Sequence, residues 1–121
     1  MEASKKRILC AEDHPDESEL ITTILSPYEV ISSYSKADAL VRATSDSFDL
    51  YLLDYHLPDG TGLELCLLIR AFDQSTPIFF CTGSSSITET TIQTAGAQKL
   101  IKKGADFIHE LKGAVSDIFM P

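Results

Sequence analysis

Apolar residues along this chain follow two patterns: short continuous runs, and stretches in which they recur every three or four positions. A short run is typical of a buried strand, and the wider spacing is typical of an amphipathic helix. Five runs predict strands: RILCAE, YEVISSYS, DLYLLD, PIFFCTG and QKLIKK. The segments between and after them predict five helices: DESELITTIL, KADALVRATSD, GLELCLLIRAF, SITETTIQTAGA and ADFIHELKGAVSDIF. This alternation predicts an α/β fold with a parallel sheet covered on both faces.

Several residues mark where the predicted helices begin and end. Pro15 suits the first turn of a helix, and Asp16 and Glu17 favour the positive end of that helix dipole. Ser35 is a candidate N-cap for the second helix. Gly96 is expected to end the fourth helix, which is rich in threonine and therefore of weak helical propensity.

The length of 121 residues fits one domain, and we expect residues 1–121 to form it, since no linker or repeat interrupts the pattern. No apolar run approaches the length of a membrane span, and MEASKKRIL lacks the apolar segment of a signal peptide. We therefore expect a cytoplasmic protein that does not enter a membrane. Cys10, Cys66 and Cys81 lie apart in apolar runs, which predicts buried core thiols rather than metal ligands or disulfides.

Charge narrows the range of partners. The chain carries 10 basic and 18 acidic side chains, for a formal net charge of −8. This balance opposes binding to nucleic acid, whose affinity depends on neutralised phosphates. The one basic cluster, Lys5 to Arg7, is interpreted as a solvated strand entrance. Protein and metal partners are expected instead.

Polar side chains stand where the predicted strands end, the edge at which open parallel sheets gather their chemistry. They are Glu12, Asp13, Asp54, Thr82, Lys102 and Lys103. Carboxylates about 4 Å apart repel by about 4 kcal/mol at an effective dielectric constant near 20, so the three acids together call for a cation. Because these three acids offer only oxygen ligands, Mg²⁺ is the cation that fits best.

Each of these residues also has an ordinary structural explanation. The acid pair suits a helix start, Asp54 a turn before proline and glycine, Thr82 a helix cap, and a terminal lysine pair is usually solvated. Their coincidence at four strand ends of one sheet favours a functional site.

The motifs ED, LLDYHLPDGTGLEL, TG and AGAQKLIKK now carry a family resemblance. Over residues 5–119 the chain resembles the receiver domain of two-component response regulators, of the CheY-like kind. The resemblance implies a flavodoxin-like (βα)5 fold, a doubly wound parallel five-stranded sheet with strand order 2-1-3-4-5. It also implies a phosphoprotein that acts in phosphorelay signal transduction.

The same resemblance implies a role for each site residue. Asp54 would be the phosphoacceptor. Asp13 and Asp54 would bind Mg²⁺ together with the backbone carbonyl of His56, and Glu12 would support a water on the metal. Thr82 and a lysine of the fifth strand would contact the phosphoryl group.

Family spacing from Gly96 and Ala97 places the site lysine at Lys103, and strand alternation points Lys102 the other way. The family usually has a proline next, often after a cis bond, whereas Gly104 follows here. A cis bond without proline costs about 3 kcal/mol, so a trans bond between Lys103 and Gly104 is predicted.

Leu100 stands where receivers commonly carry an aromatic residue. Signalling would then pass mainly through the loop after Thr82 and the fourth helix; alternatively, Leu100 only packs on an edge strand. His56 and Ser84 lie two residues beyond Asp54 and Thr82, where family members influence the access of water. An exposed histidine without function is the alternative for His56, and His14 is close enough to the acid pair to line the cleft.

The phosphoryl donor would be a phosphohistidine of a partner kinase or phosphotransfer protein, because the chain has no G-x-x-x-x-G-K nucleotide loop. The chain is expected to be a signalling domain and not an enzyme, with an output protein or attached effector domain of unknown identity. Dimerisation on activation is implied by resemblance alone.

Three alternatives to this function remain. A small Mg²⁺-dependent phosphohydrolase typically has a second aspartate two residues after its nucleophile, where this chain has His56. A flavodoxin-type flavin protein needs a phosphate-cradling loop, but AEDHPDE is acidic. A receiver-like scaffold that signals by binding alone is the third.

Overall fold

The computed structural model describes residues 5–120 and shows five parallel strands surrounded by five helices. The strands of the main sheet are β1 Arg7–Ala11, β2 Glu29–Ser33, β3 Leu50–Leu53, β6 Ile78–Thr82 and β7 Lys99–Lys102. A two-stranded antiparallel sheet of β4 His56–Leu57 and β5 Gly60–Thr61 lies between β3 and the next helix. The helices are α1 Pro15–Ile24, α2 Lys36–Ser45, α3 Gly62–Arg70, α4 Glu89–Ala95 and α5 Phe107–Phe119.

The main sheet has the order β2-β1-β3-β6-β7. Counted among its five strands alone, this is the predicted order 2-1-3-4-5, and every neighbouring pair is parallel. The predicted flavodoxin-like (βα)5 fold is therefore confirmed. The chain changes direction across the sheet between β1 and β3, so the carboxyl ends of these two strands flank the topological switch point.

Each face of the sheet carries its own apolar cluster. One cluster joins β1, β3 and β6 to α2, α3 and α4, and the other joins the opposite faces of these strands to α1 and α5. All four residues of β3 are buried, as a central parallel strand requires. The three cysteines are buried and free, so the prediction of core thiols is correct.

The predicted helix signals act as expected. Pro15 is the first residue of α1, the side chain of Ser35 accepts the amide of Asp38, and Gly96 ends α4 with φ 105°. Thr61 and Glu64 form a reciprocal capping box at the start of α3. These local contacts set where the helices begin and end relative to the strands.

The structure differs from the elements predicted from the sequence in a few places. Helix α4 covers only seven residues, far fewer than the predicted twelve-residue segment, and Lys103 follows β7 instead of lying in it. The β4–β5 hairpin was not expected. Its neighbour Asp59 accepts the amides of Lys36 at 2.6 Å and Ala37 at 2.9 Å, which ties the loop to α2.

The peptide bond between Lys103 and Gly104 is trans, as predicted. Within residues 5–120, no helix is both long enough and apolar enough to cross a bilayer.

Candidate functional site

The predicted site residues Glu12, Asp13 and Asp54 come together because β1 and β3 end side by side. Ala11 lies opposite Leu53 in the sheet, so the residues that follow these two strands are neighbours. The backbone amide of Asp54 continues this pairing and donates to the carbonyl of Ala11 at 2.9 Å. Glu12 and Asp54 are both buried, which makes this edge of the sheet strongly acidic.

Lys103 supplies the cation that such an edge needs. Its ammonium nitrogen Nζ lies 3.2 Å from Oδ2 of Asp54 and 2.5 Å from Oε2 of Glu12, and it also donates to Oε2 of Glu17. The side chain of Lys103 is only 15% exposed. A buried ammonium with carboxylate partners avoids the cost of an isolated buried charge.

Lys102 points elsewhere, in keeping with the predicted alternation. Its Nζ donates to the backbone carbonyls of Ser84 at 2.7 Å and Ile87 at 3.0 Å. Of the two lysines, Lys103 is thus the one whose ammonium reaches Asp54. Lys102 instead holds the loop between β6 and α4.

The acids form a group able to hold a metal ion. Single ligand atoms of Glu12, Asp13, His14 and Asp54 all lie within 4.8 Å of one another. The buried oxygen Oδ1 of Asp13 accepts no aligned hydrogen bond within the described residues, although Nδ1 of His14 is 2.9 Å away. A carboxylate oxygen without a hydrogen bond beside two buried carboxylates fits a hard divalent cation such as Mg²⁺.

Burial and neighbouring charges shift the acid–base behaviour of these groups in different directions. Burial raises the pKa of Glu12 to about 7, against the opposing effect of Lys103. Burial also works to raise the pKa of Glu17, but the hydrogen bond and charge of Lys103 outweigh it and leave that pKa lowered. Hydrogen bonding to Glu12 and the charge of Asp13 raise the pKa of His14.

A cleft of about 330 Å³ opens over Asp54. Its lining is made of His14, Glu17, Asp54, His56, Thr82, Gly83, Ser84 and Lys103. Thr82 is buried, and its hydroxyl accepts the backbone amide of Ser84 at 3.1 Å. The cleft therefore brings an acid, a hydroxyl and an ammonium together, and the prediction that His14 lines it is correct.

Gly62 packs directly behind Asp54. A Cβ atom at this glycine would lie 2.1 Å from the carbonyl oxygen of Asp54 and 3.1 Å from the ring of Phe80. The amide of Gly62 also donates to the carbonyl of Tyr55 at 2.7 Å. The second glycine of the DGTG turn is thus required by the close approach of α3 to the strand end.

Glu17 is the site residue that the sequence interpretation missed, since its acidity was assigned only to the helix dipole. Glu17 stands in the first turn of α1, shortly after the acid pair and His14, so its closeness to the site could have been recognised from the sequence. Its contact with Lys103 spans 86 positions of sequence and is not evident from local patterns.

Comparison with known proteins agrees with this geometry. Residues 8–115 match the response regulator receiver domain family. The chain belongs to this family. Receiver domains of response regulators act in two-component phosphorelay signalling, and this receiver domain covers most of the chain.

Individual relatives point the same way. The receiver domain is 33% identical to the response regulator protein PilR of Pseudomonas aeruginosa over 107 residues, which are 85% of this chain and 24% of PilR. The chain spans between 24% and 36% of the length of the first curated relatives it matches.

Solved structures share the fold. The response regulator TrrA of Thermotoga maritima in complex with Mg²⁺ and BeF is 29% identical, with a TM-score of 0.85 over 94% of this chain and 99% of TrrA. TrrA in complex with the histidine kinase ThkA is similar with a TM-score of 0.82 over 94% of this chain and 98% of that one.

Proposed function

We propose that this receiver domain accepts a phosphoryl group on Asp54 from a phosphohistidine of a partner histidine kinase or phosphotransfer protein. The observation that supports this best is the ammonium of Lys103, 3.2 Å from Asp54 at the edge of an acidic group in a member of the receiver family. The complex of TrrA with a histidine kinase supports the class of partner.

The chemistry is a nucleophilic displacement at phosphorus. A carboxylate oxygen of Asp54 bonds to the phosphorus while the bond from phosphorus to the histidine nitrogen breaks, and its electron pair stays on the imidazole. The product is an acyl phosphate on Asp54. Because the transition state spreads charge over three equatorial oxygens, the domain contributes mainly positioning and positive charge.

The acidic group would hold Mg²⁺ through Asp13, Asp54 and the backbone carbonyl of His56, with Glu12 orienting its water shell. When bound, Mg²⁺ supplies positive charge toward the phosphoryl oxygens. The buried Oδ1 of Asp13, which accepts no aligned hydrogen bond among the described residues, supports this assignment. The TrrA complex with Mg²⁺ and BeF supports it for a relative of the same fold.

Lys103 and Thr82 would contact the transferred group. The hydroxyl of Thr82 accepts a hydrogen bond from the amide of Ser84, and within residues 5–120 it has no acceptor for its own proton, which can therefore donate to a phosphoryl oxygen. The domain has no role as a free-standing enzyme in this proposal: it assists its own phosphorylation and dephosphorylation. The phosphorylated surface then changes its binding to an output protein or an attached effector domain, and a dimer on activation is one form of that change.

The test is the intact mass after incubation with a small acyl-phosphate donor, with and without Mg²⁺. We expect a Mg²⁺-dependent gain of one phosphoryl group that Asp54→Asn abolishes. Asp117→Asn, which removes an exposed carboxylate from α5, is the matched control and should gain the group normally. No gain from an acyl phosphate or from a phosphorylated kinase would contradict the proposal and favour a scaffold that acts by binding alone.

A further inference from the structure

The ammonium of Lys103 has no donor to spare. A lysine ammonium has three N–H donors, and here Nζ has three carboxylate partners, in Glu12, Glu17 and Asp54. A phosphoryl oxygen that needs this ammonium must therefore take the place of one of them.

Burial indicates which contact gives way. The side chain of Glu12 is 2% exposed, so releasing it would leave a buried carboxylate without its cation. Asp54 is the acceptor itself. The side chain of Glu17 is 44% exposed, and it lies in the first turn of α1, so water can take over its hydrogen bond when Lys103 leaves.

We propose that Glu17 is a positioning residue that holds Lys103 in the unphosphorylated site and competes with the incoming phosphoryl group for its ammonium. The inference rests on the proposed function. Because Glu17 also lines the cleft over Asp54, its charge faces the anionic donor. Both effects oppose phosphoryl acceptance, so Glu17 sets how readily the domain is switched on.

The expected effect is moderate because Glu17 is half exposed. Replacing it by glutamine should raise the rate of phosphorylation by a small acyl phosphate roughly fivefold at low ionic strength, the effect expected of a part-exposed ion pair. At 0.1 M salt the field of such a part-exposed charge decays over a Debye length of about 10 Å, so the gain should shrink as salt is added. A merely structural role would not produce this salt dependence.

The experiment compares the wild type with Glu17→Gln, Glu17→Ala and Glu19→Gln, at saturating Mg²⁺ and at low and high salt, by intact mass against time. Glu19 lies on the same helix, is exposed and has no side-chain partner among the described residues, so Glu19→Gln removes an equal charge away from the cleft. We expect both Glu17 variants to react faster and Glu19→Gln to match the wild type. Urea unfolding checks that all four proteins are folded.

The outcomes separate the two proposals. If the wild type takes up phosphate on Asp54 and the Glu17 variants are no faster, only the role of Glu17 is overturned. An equal gain in Glu19→Gln would assign the effect to net charge and would also overturn it. If no protein takes up phosphate, the proposed function fails and the role of Glu17 fails with it.

Discussion

Replacing Gly62 by alanine tests whether the backbone of Asp54 is held rigidly by the helix behind it. The new Cβ would lie 2.1 Å from the carbonyl oxygen of Asp54, and real Cβ atoms essentially never approach closer than 3.0 Å. The obstacle is backbone, which cannot rotate away as a side chain would. Either the end of β3 or the start of α3 must therefore move by about 1 Å.

Both sides of the contact resist that movement. Asp54 is tied to β1 by the hydrogen bond to Ala11, and Gly62 is tied to Tyr55. Overpacking of this kind costs about 1–3 kcal/mol, and weakening one hydrogen bond adds about 1 kcal/mol. The lower conformational entropy of the unfolded chain without this glycine offsets up to about 1 kcal/mol of that cost. The net expectation is a destabilisation of roughly 1–4 kcal/mol.

Gly113→Ala is the matched control. Gly113 lies inside α5, and a Cβ atom there would meet nothing within 4 Å. Glycine in a helix interior costs about 0.5–1 kcal/mol relative to alanine, so this variant should be more stable than the wild type.

Urea unfolding followed by far-UV circular dichroism gives both values, provided that the slope of free energy against urea is unchanged. Gly62→Ala should unfold at lower urea and should also accept phosphate more slowly, because the Asp54 carboxylate moves with its backbone. A Gly62→Ala protein within about 0.5 kcal/mol of the wild type, beside a stabilised Gly113→Ala, would refute the reasoning.

Three further predictions follow from the site. Mg²⁺ at a hundredfold excess over its Kd should raise the free energy of unfolding by about 2.7 kcal/mol, and Asp13→Asn but not Asp117→Asn should remove this gain in a thermal shift assay. In metal-free protein, the pKa of Glu12, raised by burial from 4.5 to about 7, makes the folded state hold its proton more tightly than the unfolded state. The stability linked to Glu12 is thus complete below about pH 4.5 and is lost as the pH rises through about 7. Glu12→Gln should therefore flatten the fall of the urea midpoint over this pH range. An equally steep fall in the variant would contradict the assignment of this pH dependence to Glu12. Lys102→Met removes the two hydrogen bonds from Lys102 to the loop of residues 83–88, so amide exchange there should speed up roughly fivefold for each lost hydrogen bond. Lys99→Met on the same strand should leave this exchange unchanged. Equal exchange in both variants would show that Lys102 does not hold the loop.

The sheet could be predicted from sequence because its pattern is strong and local. A strand such as β3, with four buried residues in a row, can be predicted without any knowledge of the strands beside it. Pro15, Ser35 and Gly96 act on the turn in which they stand, so helix ends were also accessible. Strand order came from family resemblance, since periodicity alone does not order strands.

What escaped prediction depends on contacts between distant parts of the chain. The β4–β5 hairpin has two residues in each strand, too few to show a period of two. Asp59 stabilises the start of α2 from more than twenty residues away. In the sequence this aspartate is part of a segment with the pattern of an ordinary turn, which does not indicate that contact. Helix α4 is shorter than its pattern because Thr88, not an earlier residue, caps it.

In the proposed function, Lys103 connects the stability of this domain with its reactivity. In the unphosphorylated site its ammonium compensates the buried carboxylate of Glu12, which would otherwise be a costly uncompensated charge. In the proposed function the same ammonium also contacts the phosphoryl group, so Lys103 serves both the fold and phosphoryl transfer. Loss of activity in a Lys103 variant would therefore combine a catalytic and a folding effect. Glu17 offers the cleaner probe because its exposed carboxylate shares the same ammonium without being part of the buried core.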